Sequence, residues 1–111
     1  MTGERKLAAG VINQAIRDFN SVTDLTDRMP VKTERDKIKR ALANTRIRID
    51  AGRFLVERDD KKTRFWFHLA GVDLTGARSR MPRTWRPRLE ALRAKESDLA
   101  STFARLDREA A

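Results

Sequence analysis

Leu89, Leu92, Glu96, Leu99, Phe103 and Leu106 are spaced three, four, three, four and three residues apart. That spacing keeps all six on one face of an α-helix, because each turn takes 3.6 residues. It does not suit a strand, whose side chains alternate faces at every residue. An apolar seam of this length has to be covered by another helical surface. It extends over about two to three heptads, short for an independent coiled coil. Two covers are therefore open: the first helix of the same chain, or a second copy in a homodimer joined through this C-terminal helix. The helix is expected to run from Trp85 to about Arg108, with Thr84 as its cap and Pro87 tolerated in its first turn.

The preceding chain reads as shorter helices. Between Glu4 and Asn20, Leu7, Val11, Ala15 and Phe19 recur every four residues, with Ala8, Ile12 and Ile16 in the adjacent row. Gly10 weakens this helix without ending it. Ser21 to Lys32 reads as a connector, with Asp24, Asp27 and Pro30 as turn residues and Met29-Pro30 resisting helix. Thr33 then suits an N-cap, and Glu34 and Asp36 fall in a first turn where the helix dipole favours acids. Ile38, Ala41, Leu42 and Thr45 continue a helical face. Arg46-Ile47-Arg48-Ile49-Asp50 alternates as a strand would. A lone strand has no partner here, so helix is expected through it, with Gly52 the place for a break and Phe54-Leu55-Val56 the apolar close. Glu57 to Lys62 reads as a charged turn. Thr63 leads into the aromatic segment Arg64 to Ala70, Gly71 suits its C-cap, and Leu74 to Met81 forms a short helix that Pro82 stops. The expected fold is all-α: one domain over residues 1–111, a compact bundle of four to six helices with a longer C-terminal helix.

Composition excludes several kinds of chemistry. The chain has no cysteine and one histidine, His68, so disulfides, thiolate metal sites and cysteine nucleophiles are out and structural zinc lacks ligands. His68 sits among aromatics, a setting that suits packing better than base catalysis. Ser79, Ser97 and Ser101 stand in no nucleophile motif. Asp59-Asp60 is flanked by Arg58, Lys61 and Lys62, the mark of a solvated turn, and Gly71 and Gly76 are too isolated for a phosphate loop. No enzyme activity, metal or cofactor is expected. No apolar run approaches the ~18 residues that span a bilayer, and the apolar stretch near the N-terminus is too short for a signal peptide. No membrane association is expected, and a cytoplasmic home fits. The net charge of +9 points to a polyanionic partner.

The segment Thr63 to Met81 resembles a helix-turn-helix: an aromatic first helix, a glycine turn at Gly71, Val72 anchoring the corner, Asp73 capping a second helix, Leu74 and Ala77 facing inward, and Arg78 and Arg80 projecting outward. Phe67 stands where such motifs carry a small residue, and Arg80-Met81 where they keep an apolar one. The bland counterpart is a helical corner covering Trp66 and Leu69. The wider layout runs from Ala51-Gly52-Arg53-Phe54-Leu55 through a charged turn to Leu69-Ala70-Gly71-Val72-Asp73 and Arg78. It resembles small phage- or prophage-encoded proteins in which an Ala-x-x-aromatic-Leu helix precedes an aromatic helix ending in Leu-Gly-Ile/Val-Asp. The resemblance covers the central third of the chain and implies a regulatory or DNA-binding role for a mobile-element protein.

Charge is concentrated in the same region. Six arginines fall between Arg78 and Arg93, with Glu90 the sole acid, and Trp85 lies between Arg83 and Arg86. Arginines interleaved with an aromatic suit phosphate contact and base stacking. Alternatively, Trp85 staples the last helix to the core while the arginines face water. Arg78, Arg80, Arg83, Arg86 and Arg88 are the expected phosphate or base contacts. Lys37, Lys39 and Arg40 are expected to add phosphate contacts from a second edge of the same patch. The expected partner is nucleic acid, DNA ahead of RNA. The alternative is a protein-binding module that inhibits or redirects an acidic host protein through its basic surface.

Overall fold

The computed structural model describes residues 2–21 and 31–110. Among them are five helices and no strand: α1 (Gly3–Asn20), α2 (Glu34–Val56), α3 (Lys61–Leu69), α4 (Leu74–Ser79) and α5 (Trp85–Ala110). The all-α bundle with a long last helix is the expected architecture. The turn assigned to Asp24, Asp27 and Pro30 lies outside the described residues.

Local chemistry sets the helix starts. Thr2 accepts the Arg5 N–H at 3.2 Å, Thr33 the Asp36 N–H at 3.0 Å, Asp60 the Thr63 N–H at 2.7 Å and Asp73 the Gly76 N–H at 2.9 Å. Each satisfies one of the donors that a helix N-terminus leaves open. The cap of α3 is thus Asp60, inside the stretch expected to be a charged turn. The helix takes in Lys61 and Lys62, and the charged turn is correspondingly shorter. At the other end of α3, Gly71 has φ +80°, its N–H reaches the His68 carbonyl at 2.9 Å, and the Val72 N–H reaches Phe67 at 3.0 Å. This pair of bonds is the glycine-terminated helix end expected there.

α2 is the central element. It packs most extensively on α5 and next on α1, while α1 also packs on α3. α5 lies antiparallel to α2: Arg35 near the start of α2 pairs with Asp107 at 2.7 Å, and Arg46 in its middle with Glu96 at 3.2 Å. Arg93, nearer the start of α5, pairs with Glu57 at the end of α2. The seam of α5 is therefore covered within the chain by α2, not by α1 alone. Leu89 is fully buried, and Leu92, Leu99, Phe103 and Leu106 are half-buried. Glu96 sits in that seam because Arg46 crosses to meet it. α5 alone is about 39 Å long, and the molecule measures 53 × 27 × 24 Å.

The core forms where α1, α2 and α5 converge. Ala15, Phe19, Ile49, Ala51, Leu55, Val56, Trp85 and Leu89 make up the buried cluster. The stretch from Arg46 to Asp50, with its strand-like alternation, is continuous helix, and so is Gly52. Gly52 does not break α2. It lets Phe19 lie against the helix backbone: a Cβ at that position would stand 2.6 Å from Phe19 Cε1. Glycine is required here for close approach, not for its conformational freedom.

The α2–α3 junction is held by charge. Hydrogen bonding to Arg93 lowers the Glu57 pKa, hydrogen bonding to Arg64 lowers that of Asp59, and the Thr63 backbone N–H lowers that of Asp60. A carboxylate with a depressed folded pKa adds stability above its unfolded pKa and loses it as pH falls through the folded value. Stability is therefore expected to decline on acidification below the ordinary values of 4.5 for the glutamate and 3.8 for the aspartates. Urea midpoints measured from pH 7 to pH 3 check this. Asp60→Asn keeps the cap but cannot titrate, so it should flatten the acid limb.

Candidate nucleic-acid interface

Arg78 does not project outward. Its Nε donates to the Leu55 carbonyl at 3.1 Å, and its Nη2 to the Phe54 carbonyl at 3.3 Å and to the Arg58 carbonyl. These carbonyls lie at the C-terminal end of α2, where the helix leaves acceptors unfilled and its dipole is negative. Burial is the main cause of the lowered Arg78 pKa, and Asp59 opposes it. The guanidinium is thus a clamp joining α4 to the end of α2, and the outward role expected for it is corrected. Leu74 and Ala77 are half-buried, in keeping with their inward assignment.

Trp85 also turns inward. It is 8% exposed and meets the Phe19 ring edge-on, with centroids 5.7 Å apart. Of the two readings, the structure shows the staple, so Trp85 offers no face for a base. Arg88 follows it toward α1: its guanidinium lies 5.6 Å from the Phe19 ring centroid and donates to Asn20 Oδ1. Arg86 and Arg88 are two residues apart, about 200° around a helix, so they address different surfaces.

What remains at the α4–α5 corner is Arg80, Arg83 and Arg86. All three are exposed, and none makes an ion pair or side-chain hydrogen bond with another described residue. Arg83 and Arg86 line one concavity with Arg78, Ser79, Met81 and Pro82. Six arginines elsewhere are paired with acids. Arg35 meets Asp107, Arg46 meets Glu96, Arg53 and Arg93 meet Glu57, Arg58 meets Asp50, and Arg64 meets Asp59. Exposed pairs of this kind add little stability. They do cancel charge locally, and Arg80, Arg83 and Arg86 have no such cancellation among the described residues.

The lysine-rich stretch does not join that corner. Lys37 and Arg40 line a groove with Asn44, Arg48 and Lys95 near the start of α2. Nineteen residues of helix, about 28 Å, separate Lys37 from Val56 beside the arginine corner. Lys37 and Lys39 are themselves about 200° apart on α2. The second edge expected from the sequence is a separate surface, and its members diverge.

Two further concavities were not anticipated. A groove of about 630 Å³ between α1, α2 and α3 is floored by Val11, Ala15, Ile47, Ala51, Phe54 and Trp66. A second bowl of about 630 Å³ lies between α3, α4 and the start of α5 and includes Arg64, His68, Val72, Thr75 and Arg86. Among the described residues there is no group of His, Cys, Asp or Glu arranged to hold a metal, and no helix long and apolar enough to cross a membrane.

α3 and α4 are joined through residues 70–73, a turn of the length seen in helix-turn-helix units. α4 has only six residues and spends its one arginine, Arg78, on α2. Compared with protein-family models, with curated proteins and with solved structures, the chain matches none.

Proposed function

We propose that this protein binds nucleic acid, DNA ahead of RNA, in a regulatory or accessory role, through the α4–α5 corner. One observation carries the reading: Arg83 and Arg86 share a concavity, Arg80 is exposed three residues before Arg83, and none of the three has an acidic partner among the described residues. An uncompensated cluster repels itself and is stabilised when phosphates approach. Guanidinium groups match phosphate oxygens in a forked geometry. Arg78, Arg88 and Trp85 hold the corner in shape instead of touching the ligand.

Phosphate contacts release counterions, so affinity should fall steeply with salt, by roughly 0.9 in log–log slope per contact on duplex DNA. Arg83→Ala with Arg86→Ala should weaken binding and reduce that slope by about 2. The fold should be retained, since exposed substitutions cost about 0.5 kcal/mol or less. Fluorescence anisotropy at two salt concentrations, with circular dichroism as the control, provides the test. Affinity that does not change between low and physiological salt rules the proposal out and favours an acidic host protein as partner.

A further inference from the structure

We infer that the strand bound at this corner is single-stranded, with a base unstacked into the bowl between α3, α4 and α5. This rests on the nucleic-acid reading above and adds the form of the ligand.

The corner itself carries no available aromatic, because Trp85 is buried. The aromatics that face solvent lie on α3. Phe65 is 53% exposed and makes a T-shaped contact with the Trp66 ring, with centroids 5.5 Å apart. His68, one turn further along, is exposed and lines the bowl, as does Val72, which is 43% exposed. Phe65, His68 and Val72 are spaced three and four residues apart, so the first two share a helix face that leads onto the third at the turn.

Arg86 ties the bowl to the corner, since it lines this concavity and also the one that holds Arg83. The two acids of the bowl are already engaged. Asp59 binds Arg64 through both oxygens, at 2.5 and 3.0 Å, and Asp73 caps α4. Arg64 is taken by Asp59 and Arg78 by the Phe54, Leu55 and Arg58 carbonyls, which leaves Arg86 as the guanidinium to meet a phosphate, and the imidazole of His68 with the Val72 side chain forms a surface for a base. Thr75 adds a hydroxyl at the same place.

Cationic residues that track the backbone, beside ring faces that accept any base, make up the usual single-strand platform. A volume of about 630 Å³ admits one flat heterocycle with its sugar. A duplex can use it only by flipping a base out of the stack, at a cost of a few kcal/mol that a single strand does not meet in full.

The test is fluorescence anisotropy of the whole protein with a labelled oligothymidine of about twelve nucleotides, within the span of known single-strand sites, and with a duplex of equal length. Single strand is expected to bind about tenfold tighter. Phe65→Leu combined with His68→Ala should lower single-strand affinity about tenfold and leave duplex affinity unchanged. Leucine keeps the apolar bulk beside Trp66, and circular dichroism confirms that the variant is folded. Tighter binding of duplex, or a double variant with undiminished single-strand affinity, overturns the inference. If Arg83→Ala with Arg86→Ala still weakens binding in that case, the corner remains the nucleic-acid site and only the single-strand assignment falls. If neither pair of substitutions changes any affinity, both fall.

Discussion

Phe19→Ala is expected to destabilise the protein by about 3–5 kcal/mol, as large-to-small changes at fully buried rings do. Phe19 is 2% exposed and sits where three helices meet. It touches the edge of Trp85 on α5, takes the Arg88 guanidinium over its ring, and lies against the bare backbone of Gly52 on α2. Little around it can collapse into the space, because its neighbours are fixed on separate helices. The same geometry predicts a reversal of sign at Gly52. Alanine normally improves a helix interior by about 1 kcal/mol over glycine. Here the new methyl would stand 2.6 and 2.8 Å from Phe19 ring carbons and 3.0 Å from Leu89 Cδ1. Overpacking of that kind costs about 1–3 kcal/mol, so Gly52→Ala should destabilise the wild type. In the Phe19→Ala background the ring clash is gone and only the 3.0 Å approach to Leu89 Cδ1 remains, so the same substitution should cost much less than in the wild type. Urea unfolding of the four proteins gives the coupling directly. Additive changes would mean that the ring does not rest on Gly52.

Arg78→Ala should lower stability by about 1.5–3 kcal/mol, the range for hydrogen bonds to a charged group. Three carbonyls at the end of α2 would lose their donor, and α4 would lose its clamp to α2. Lysine at this position should recover little, since a point charge cannot fork across three acceptors. At temperatures where the variant is still folded, its affinity for nucleic acid should match the wild type. Thermal unfolding paired with anisotropy separates the two roles. A variant of unchanged stability that no longer binds would return Arg78 to the interface.

These expectations divide arginines that look alike in sequence. Arg78 and Arg80 are two residues apart at the end of a short helix, yet one is spent on α2 and the other is exposed. Nothing near Arg78 announces this, because its acceptors lie 20 to 24 residues earlier in the chain. Trp85 is a similar case. Among arginines it reads equally well as a stacking surface or as a staple, and only the position of Phe19 decides for the core.

The helices themselves were legible because their determinants are local. Apolar spacing, the capping side chains Thr33 and Asp73, and the left-handed glycine at Gly71 act over a few residues and hold wherever the segment is placed. The start of α3 was misplaced because the charged run from Glu57 to Lys62 reads as turn, whereas Asp60 within it caps the helix. The break expected at Gly52 failed for a different reason. Helix propensity is a weak term, and burial against Phe19 outweighs it.

By itself, then, the sequence determined an all-helical chain, the ends of most of its helices, an apolar seam on α5 that had to be covered, and an excess of positive charge. The tertiary structure alone decided that α2 covers the seam, that Arg78 is a clamp, that Lys37 and Arg40 lie about 28 Å along α2 from the arginine corner, and that Arg80, Arg83 and Arg86 remain uncompensated. The physical reason is range. A helix is specified by interactions within four residues, whereas the pairing of a charge depends on which distant carboxylate or carbonyl the fold brings within hydrogen-bonding reach.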